Sequence, residues 1–175
     1  KIKKSKIFYK NKFLPNSKLN FAENLLSKNN KNKAITFVSE NGFREERSWY
    51  ELNINVSKIS KFLKSIKIKK KDRIAAYMPN TIETVEAFIA SSSLGAIWSS
   101  CSPDFGVKGV VERFSQISPK VLFVVDKYFY NGKIINILER VPLILKEIPS
   151  IEYVVIVNYP GEKYLENKYT SKKSK

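Results

Sequence analysis

The chain has 175 residues, with 32 Lys+Arg against 16 Asp+Glu, a formal charge of +16 and no His. The lack of His excludes Ser-His-Asp and Cys-His catalysis and His-ligated metal sites within the chain; a single Cys excludes a disulfide framework or a multi-Cys metal site. A hydrophobic fraction of 43% suits one domain with a real core. No apolar run is long enough to span a bilayer, and no apolar segment follows the Lys-rich start. A soluble, reducing, cytoplasmic setting is the expectation. The chain starts at Lys1, has its only Met at Met78 and ends in a polar, Lys-rich stretch at 169–175, so a piece of a longer protein is expected.

The charge invites a nucleic-acid reading, because clustered cations release counterions from phosphate backbones. Only five of the basic residues are Arg, and 27 are Lys. Readers of bases and phosphates favour the guanidinium fork. Lys, Asn and Ile are abundant together and share A/T-rich codons, so a biased genome is the simpler source of the charge. The densest cluster, Lys67, Lys69, Lys70 and Lys71, reads as a solvated turn.

In chain order, a polar Lys/Asn-rich arm runs to about Ser17. Asn20 with Glu23 three residues on is an Asx variant of the capping box, opening a short helix through Leu25 and Leu26. Residues 33–40 read as a strand, Asn41-Gly42 as a type I′ turn and 43–47 as the partner strand. Glu45 and Glu46, consecutive on that strand, point to opposite faces and cannot act as an acid/base pair. Ser48 with Glu51 is a full capping box for a helix whose apolar stripe is Leu52, Val56, Ile59, Phe62, Leu63 and Ile66.

From there strands and helices alternate. A strand at 74–78 ends at Pro79, and Asn80 with Glu83 is read as the cap of a helix stopped by Gly95. A strand at 96–100 carries Trp98, assigned to the core. After the loop 101–106 comes a helix with Val107, Val110, Val111, Phe114 and Ile117, ended by Pro119. Residues 121–125 form a third strand, 134–147 are read as helix with a break at Pro142, and 153–157 form a fourth strand. Four short strands with three crossover helices predict an α/β fold with one parallel sheet, its strands buried on both faces. Ligands then sit beyond the strands' carboxyl ends, at the loops 79–81, 101–106 and 126–133. No G-x-G-x-x-G follows a strand and no G-x-x-x-x-G-K-[ST] occurs, so neither a dinucleotide fingerprint nor a Walker loop is present. Cys101, without His to activate it, is expected to be a small buried side chain.

Four segments carry a family resemblance: 19–26 (LNFAENLL), 72–80 (DRIAAYMPN), 93–106 (SLGAIWSSCSPDFG) and 118–133 (SPKVLFVVDKYFYNGK). Together, and in collinear order over nearly the whole chain, they resemble the acetoacetyl-CoA synthetases, acid–thiol ligases of the adenylate-forming superfamily. The resemblance implies Rossmann-like βα units from the first part of an adenylate-forming N-terminal domain, with 1–32 as an arm and short helix and 33–175 as the start of the AMP-binding domain. It implies an enzyme that converts acetoacetate, ATP and CoA through an acyl-adenylate, with Mg²⁺, the remainder of the same polypeptide and small-molecule substrates as partners. The family's Ser/Thr/Gly-rich phosphate loop lies downstream of the matched part, and the stretch 169–173 (YTSKK), which lacks Gly, is not that loop. No catalytic residue is therefore expected here, and the segment alone is expected to be inactive.

The resemblance also implies candidate site residues. Tyr130, Asn131, Gly132 and Lys133 match a short Arg-x-Gly-Arg segment of acetyl-CoA synthetases that contacts the 3′-phosphate of CoA, with Tyr130 and Lys133 replacing the two Arg. Independently, this loop follows a parallel strand and is expected to lead into a helix N-terminus, offering a free backbone at Gly132 and a cation at Lys133. The alternative is that Asn131-Gly132 only turns the chain into its helix. Asp104, Phe105 and Gly106 match a Gly-Gly-Phe near the CoA adenine, where Phe105 could stack on the base. Otherwise Asp104 caps the next helix and Phe105 plugs the core. Two other classes stay open: a self-contained α/β small-molecule or anion-binding module, and a basic protein for nucleic acid or anionic membrane.

Overall fold

The structure, a computed structural model, describes residues 2–161; the polar stretch 169–175, including 169–173, lies outside the described residues. The arm holds a small ribbon of β1 (Ile2–Lys3) and β2 (Lys12–Phe13) on the surface. In α1 (Phe21–Leu25) the Asn20 cap is present, its Oδ1 accepting from Ala22 N at 3.0 Å and Glu23 N at 3.3 Å. Asn20 Nδ2 donates to Ser93 O at 3.0 Å and so ties this helix to a later one.

The hairpin of β3 (Lys33–Val38) and β4 (Arg44–Ser48) is found, with a different turn from the type I′ expected. Of Asn41-Gly42 only Gly42 has positive φ, at +80°. Gly42 N bonds Ser39 O at 3.0 Å and Ser39 N bonds Phe43 O at 2.9 Å, which is a three-residue loop: a type I turn closed by a left-handed glycine. Asn41 Oδ1 accepts from Phe43 N at 3.2 Å, an Asx bond that holds Asn41 in the right-handed half of the turn.

Helix α2 (Trp49–Ser65) starts from the complete Ser48/Glu51 capping box and buries Leu52, Val56, Ile59 and Leu63, with Phe62 and Ile66 partly buried beside them. An exposed turn through Lys67 and Lys71 (φ +61° and +73°) then leads into the sheet.

The parallel sheet is as read: β5 (Arg73–Tyr77), β6 (Ile97–Cys101), β7 (Val121–Val125) and a last strand, β10 (Tyr153–Val157), in the order β10-β7-β5-β6 with every pair parallel. Central β7 is buried throughout. Edge strand β6 is not, since Ile97 is 50% exposed; an outer strand has no neighbour to cover its free side. The chain steps from β5 to β6, then crosses back over β5 to reach β7. With right-handed crossovers, that reversal sends α3 (Ile82–Ser93) to one face, against α1 and α2, and α4 (Val107–Phe114) to the other, against the last helix, α5 (Val141–Glu147).

Three local readings are corrected. Helix α3 is N-capped by Thr81 without a side-chain cap bond, not by Asn80; Thr84 Oγ1 instead donates to Pro79 O at 2.6 Å, and Glu83 turns toward Arg47. Helix α4 ends at Phe114 rather than 117. Residues 134–147 are not one helix. They comprise β9 (Lys133–Asn136), which pairs with β8 (Lys127–Tyr130), then a 3₁₀ turn (Leu138–Arg140) and α5. Pro142 sits in the first turn of α5, where its missing N–H breaks no helical bond, so it starts a helix instead of interrupting one.

Candidate functional site

Since β5 sends its chain to one face while its neighbours send theirs to the other, a crevice opens at the carboxyl ends of the strands. A cleft of about 430 Å³ lies there. Met78, Pro79 and Asn80 following β5, the end of β6 with Ser102 and Asp104, and the β8–β9 hairpin with Tyr128 and Tyr130 line it. Two residues expected at the site, Asp104 and Tyr130, are thus brought to one cavity from segments far apart in sequence.

The loop 126–133 does not lead into a helix. Asn131 and Gly132 both have positive φ, +49° and +69°, and join Tyr130 to Lys133 as a two-residue type I′ turn. The helix-dipole argument for an anion at this loop is thereby removed. The β-branched pair Ile134 and Ile135, flanked by Lys133 and Asn136, continues as strand and not as helix. The backbone amides of Asn131 and Gly132 do make an anion-facing pair, and a protein carboxylate occupies it: Glu40, from the β3–β4 turn, accepts from them at 3.0 and 3.3 Å. Lys133 is exposed at the start of β9.

Asp104 does not cap α4, whose N-cap is Gly106 with no side-chain bond. Its carboxylate accepts from Ser102 Oγ at 2.6 Å and from Tyr128 Oη at 2.7 Å. These hydrogen bonds hold its pKa below the usual carboxylate range, first through Ser102 and then through Tyr128. Burial, reinforced by the Asp104 charge, pushes the Tyr128 phenol up, so Tyr128 remains a proton donor at neutral pH. Phe105 is not a core plug. It is 37% exposed, with the Arg113 guanidinium 4.3 Å from its ring centroid, a cation–π contact that covers one ring face. Cys101 is buried, and desolvation raises its thiol to about 11, so it is no nucleophile at neutral pH. Trp98 packs between Phe88 and Phe123, with ring centroids at 6.1 and 5.9 Å.

Sequence reasoning missed Arg140, Tyr77 and Tyr128, which support the loop 102–106. Tyr77 and Arg140 lie 63 residues apart, and no local spacing signals their meeting. Among the described residues no group of three or more His, Cys, Asp or Glu could hold a metal ion, and no helix is long and apolar enough to cross a membrane.

The profile of the family described as AMP-binding enzyme matches residues 24–175. The chain belongs to the AMP-binding enzyme family. Its parallel four-stranded sheet matches the N-terminal domain of adenylate-forming enzymes. Among curated relatives, the acetoacetyl-coenzyme A synthetase of Rhizobium meliloti (strain 1021) is 44% identical over 151 residues, which is 86% of this chain and 23% of that protein. The acetoacetyl-CoA synthetase of Mus musculus is 42% identical over 151 residues, covering 84% and 22%. Among solved structures, the acetoacetyl-CoA synthetase from Streptomyces lividans superposes with a TM-score of 0.77 at 31% identity, covering 85% of this chain and 24% of that one. This member of the AMP-binding enzyme family therefore spans under a quarter of the length of the curated relatives it matches.

Proposed function

We propose that this chain is the N-terminal part of an ATP-dependent acid–thiol ligase that makes acetoacetyl-CoA, AMP and pyrophosphate from acetoacetate, ATP and CoA in the cytoplasm. The single observation that carries the reading is the 44% identity to an acetoacetyl-coenzyme A synthetase over 86% of the chain. Residues 1–32 are then an arm and short helix, and 33–175 the start of the AMP-binding domain. A carboxylate is a poor acylating agent, so activation needs a phosphate leaving group before a thiol can attack. The chain holds no Walker loop and no cluster fit for a cation among its described residues. We therefore assign ATP and Mg²⁺ to the remainder of the polypeptide.

What this chain contributes is a wall for CoA. Tyr130 and Asp104 line the cleft, Phe105 and Gly106 continue its loop, and Lys133 stands at the hairpin turn beside it. Because Glu40 holds the amides of Asn131 and Gly132, the 3′-phosphate contact falls to the Lys133 ammonium, a point charge and not a bidentate fork. The test is Lys133→Ala in the ligase that carries this segment. Loss of a charge-assisted contact of about 1.5 to 3 kcal/mol raises the CoA KM roughly tenfold to a hundredfold. Acetoacetate-dependent exchange of pyrophosphate into ATP stays unchanged, and dephospho-CoA is used equally by both proteins. An equal loss with both thiols would assign Lys133 to the fold instead.

A further inference from the structure

The loop 102–106 forms part of the cleft wall, and what holds it comes from elsewhere in the chain. Arg140, the last residue of the 3₁₀ turn after β9, directs Nη1 at three acceptors: Tyr77 Oη at 2.6 Å, Pro103 O at 2.9 Å and Phe105 O at 3.3 Å. Tyr77, fully buried at the end of β5, aims its hydroxyl at the same two carbonyls, at 3.0 and 2.5 Å. Pro103 is itself buried. Its carbonyl needs a donor at that depth, and in this structure the donors are a phenol from one βα unit and a guanidinium from another. The loop's far side is tied to the β8–β9 hairpin by the bond from Tyr128 to Asp104. The loop conformation therefore depends on Tyr77 and the 127–140 segment as well as on the helix that follows it, whose Arg113 covers the Phe105 ring.

We propose that Arg140 is a positioning residue for the cleft: seated on Tyr77, its guanidinium holds the Pro103 and Phe105 carbonyls and so sets the wall that the ligand meets. The ligand assignment rests on the CoA reading above; the clamp itself does not. A guanidinium suits the task because Nη1 carries two protons in a fixed plane. Tyr77 alone has one proton for two carbonyls.

The experiment compares Arg140→Met, Arg140→Lys and Tyr77→Phe with the unaltered protein in the ligase that carries this segment, with two readouts. The first is amide exchange of Phe105, whose N–H donates to Ser102 O at 3.2 Å, against the amides of β5 and β7. Arg140→Met is expected to speed Phe105 exchange about tenfold while the strand amides keep their rates, with a smaller effect for Arg140→Lys. The second is kinetic. Arg140→Met raises KM about fivefold to tenfold for CoA and for dephospho-CoA alike, leaves pyrophosphate exchange within about twofold, and recovers on addition of methylguanidinium. Combining Arg140→Met with Tyr77→Phe gives less than the product of the two effects, since both act on the same carbonyls. The proposal is overturned if Phe105 exchange is unchanged, if strand and loop amides accelerate together, or if KM stays put while the loop opens. A protein without any CoA-dependent step would remove the CoA reading, and the exchange rates would still decide the clamp.

Discussion

Glu86 on α3 is only 4% exposed, yet it carries an ionisable group. Its Oε1 accepts from Asn55 Nδ2 of α2 at 2.8 Å and lies 3.6 Å from Arg47 Nε of β4, with Glu83 and Glu45 nearby and Lys58 at the rim of the same cavity. Burial pushes the carboxyl up to about 7, against the pull of Asn55 and Arg47. The native state therefore holds this proton more tightly than the unfolded chain does. The associated stabilisation is complete below the ordinary Glu pKa and is lost as pH rises through about 7. Unfolding free energies from urea titrations at pH 5, 6, 7 and 8 should fall by on the order of 2 to 3 kcal/mol more in the unaltered protein than in Glu86→Gln. Parallel slopes for the two proteins would mean that Glu86 does not hold its proton. Gly95 gives a second residue-scale expectation. It ends α3 at φ +68°, and an added Cβ would meet only the flexible Lys70 side chain, at 3.0 Å. Gly95→Ala should then cost about 1 kcal/mol from backbone conformation, read as a lower urea midpoint.

At the scale of elements, local side-chain chemistry was legible where it closes on itself. The Ser48/Glu51 box pairs Ser48 Oγ with Glu51 N at 3.2 Å and Glu51 Oε2 with Ser48 N at 2.8 Å. Ser48→Ala removes one of these bonds and should cost about 1 kcal/mol in the same titrations. The two Asn-Gly pairs show where such reading stops. Asn131-Gly132 makes the type I′ turn, whereas Asn41-Gly42 sits in a type I turn with only its glycine left-handed. The dipeptide permits both geometries, and the number of residues left unpaired between strands chooses between them. That number depends on register, which packing of the strand faces sets. The 134–147 stretch was misread for a related reason: its apolar residues fit a helical stripe as well as a hairpin arm, and only the partner strand β8 distinguishes them.

For the whole molecule, two expectations follow from what the chain carries. Without a Walker loop or a candidate cation cluster among the described residues, residues 1–175 alone should give no acetoacetate-dependent exchange of labelled pyrophosphate into ATP. Any exchange by the purified chain above a no-acetoacetate control would contradict this. The +16 charge should produce only non-specific retention on nucleic acid, lost between about 50 and 200 mM salt. Selective binding that survives the higher salt would require a built interface.

The order of the four parallel strands and of helices α1 to α4, the α2 stripe and the all-apolar β7 were determined by sequence alone, because periodicity, capping residues and continuous apolar runs are properties of neighbours along the chain. So was the family resemblance, carried by short motifs read one residue after another. The cleft was not. Asp104 meets Tyr128 across 24 residues, Glu40 reaches the turn at Gly132 across 92, and Arg140 closes on Tyr77 across 63. Each is a polar contact between segments far apart in the chain, with no period and no spacing to mark it. What brings these groups together is the parallel sheet, which collects its carboxyl-terminal loops at one edge whatever their distance in sequence.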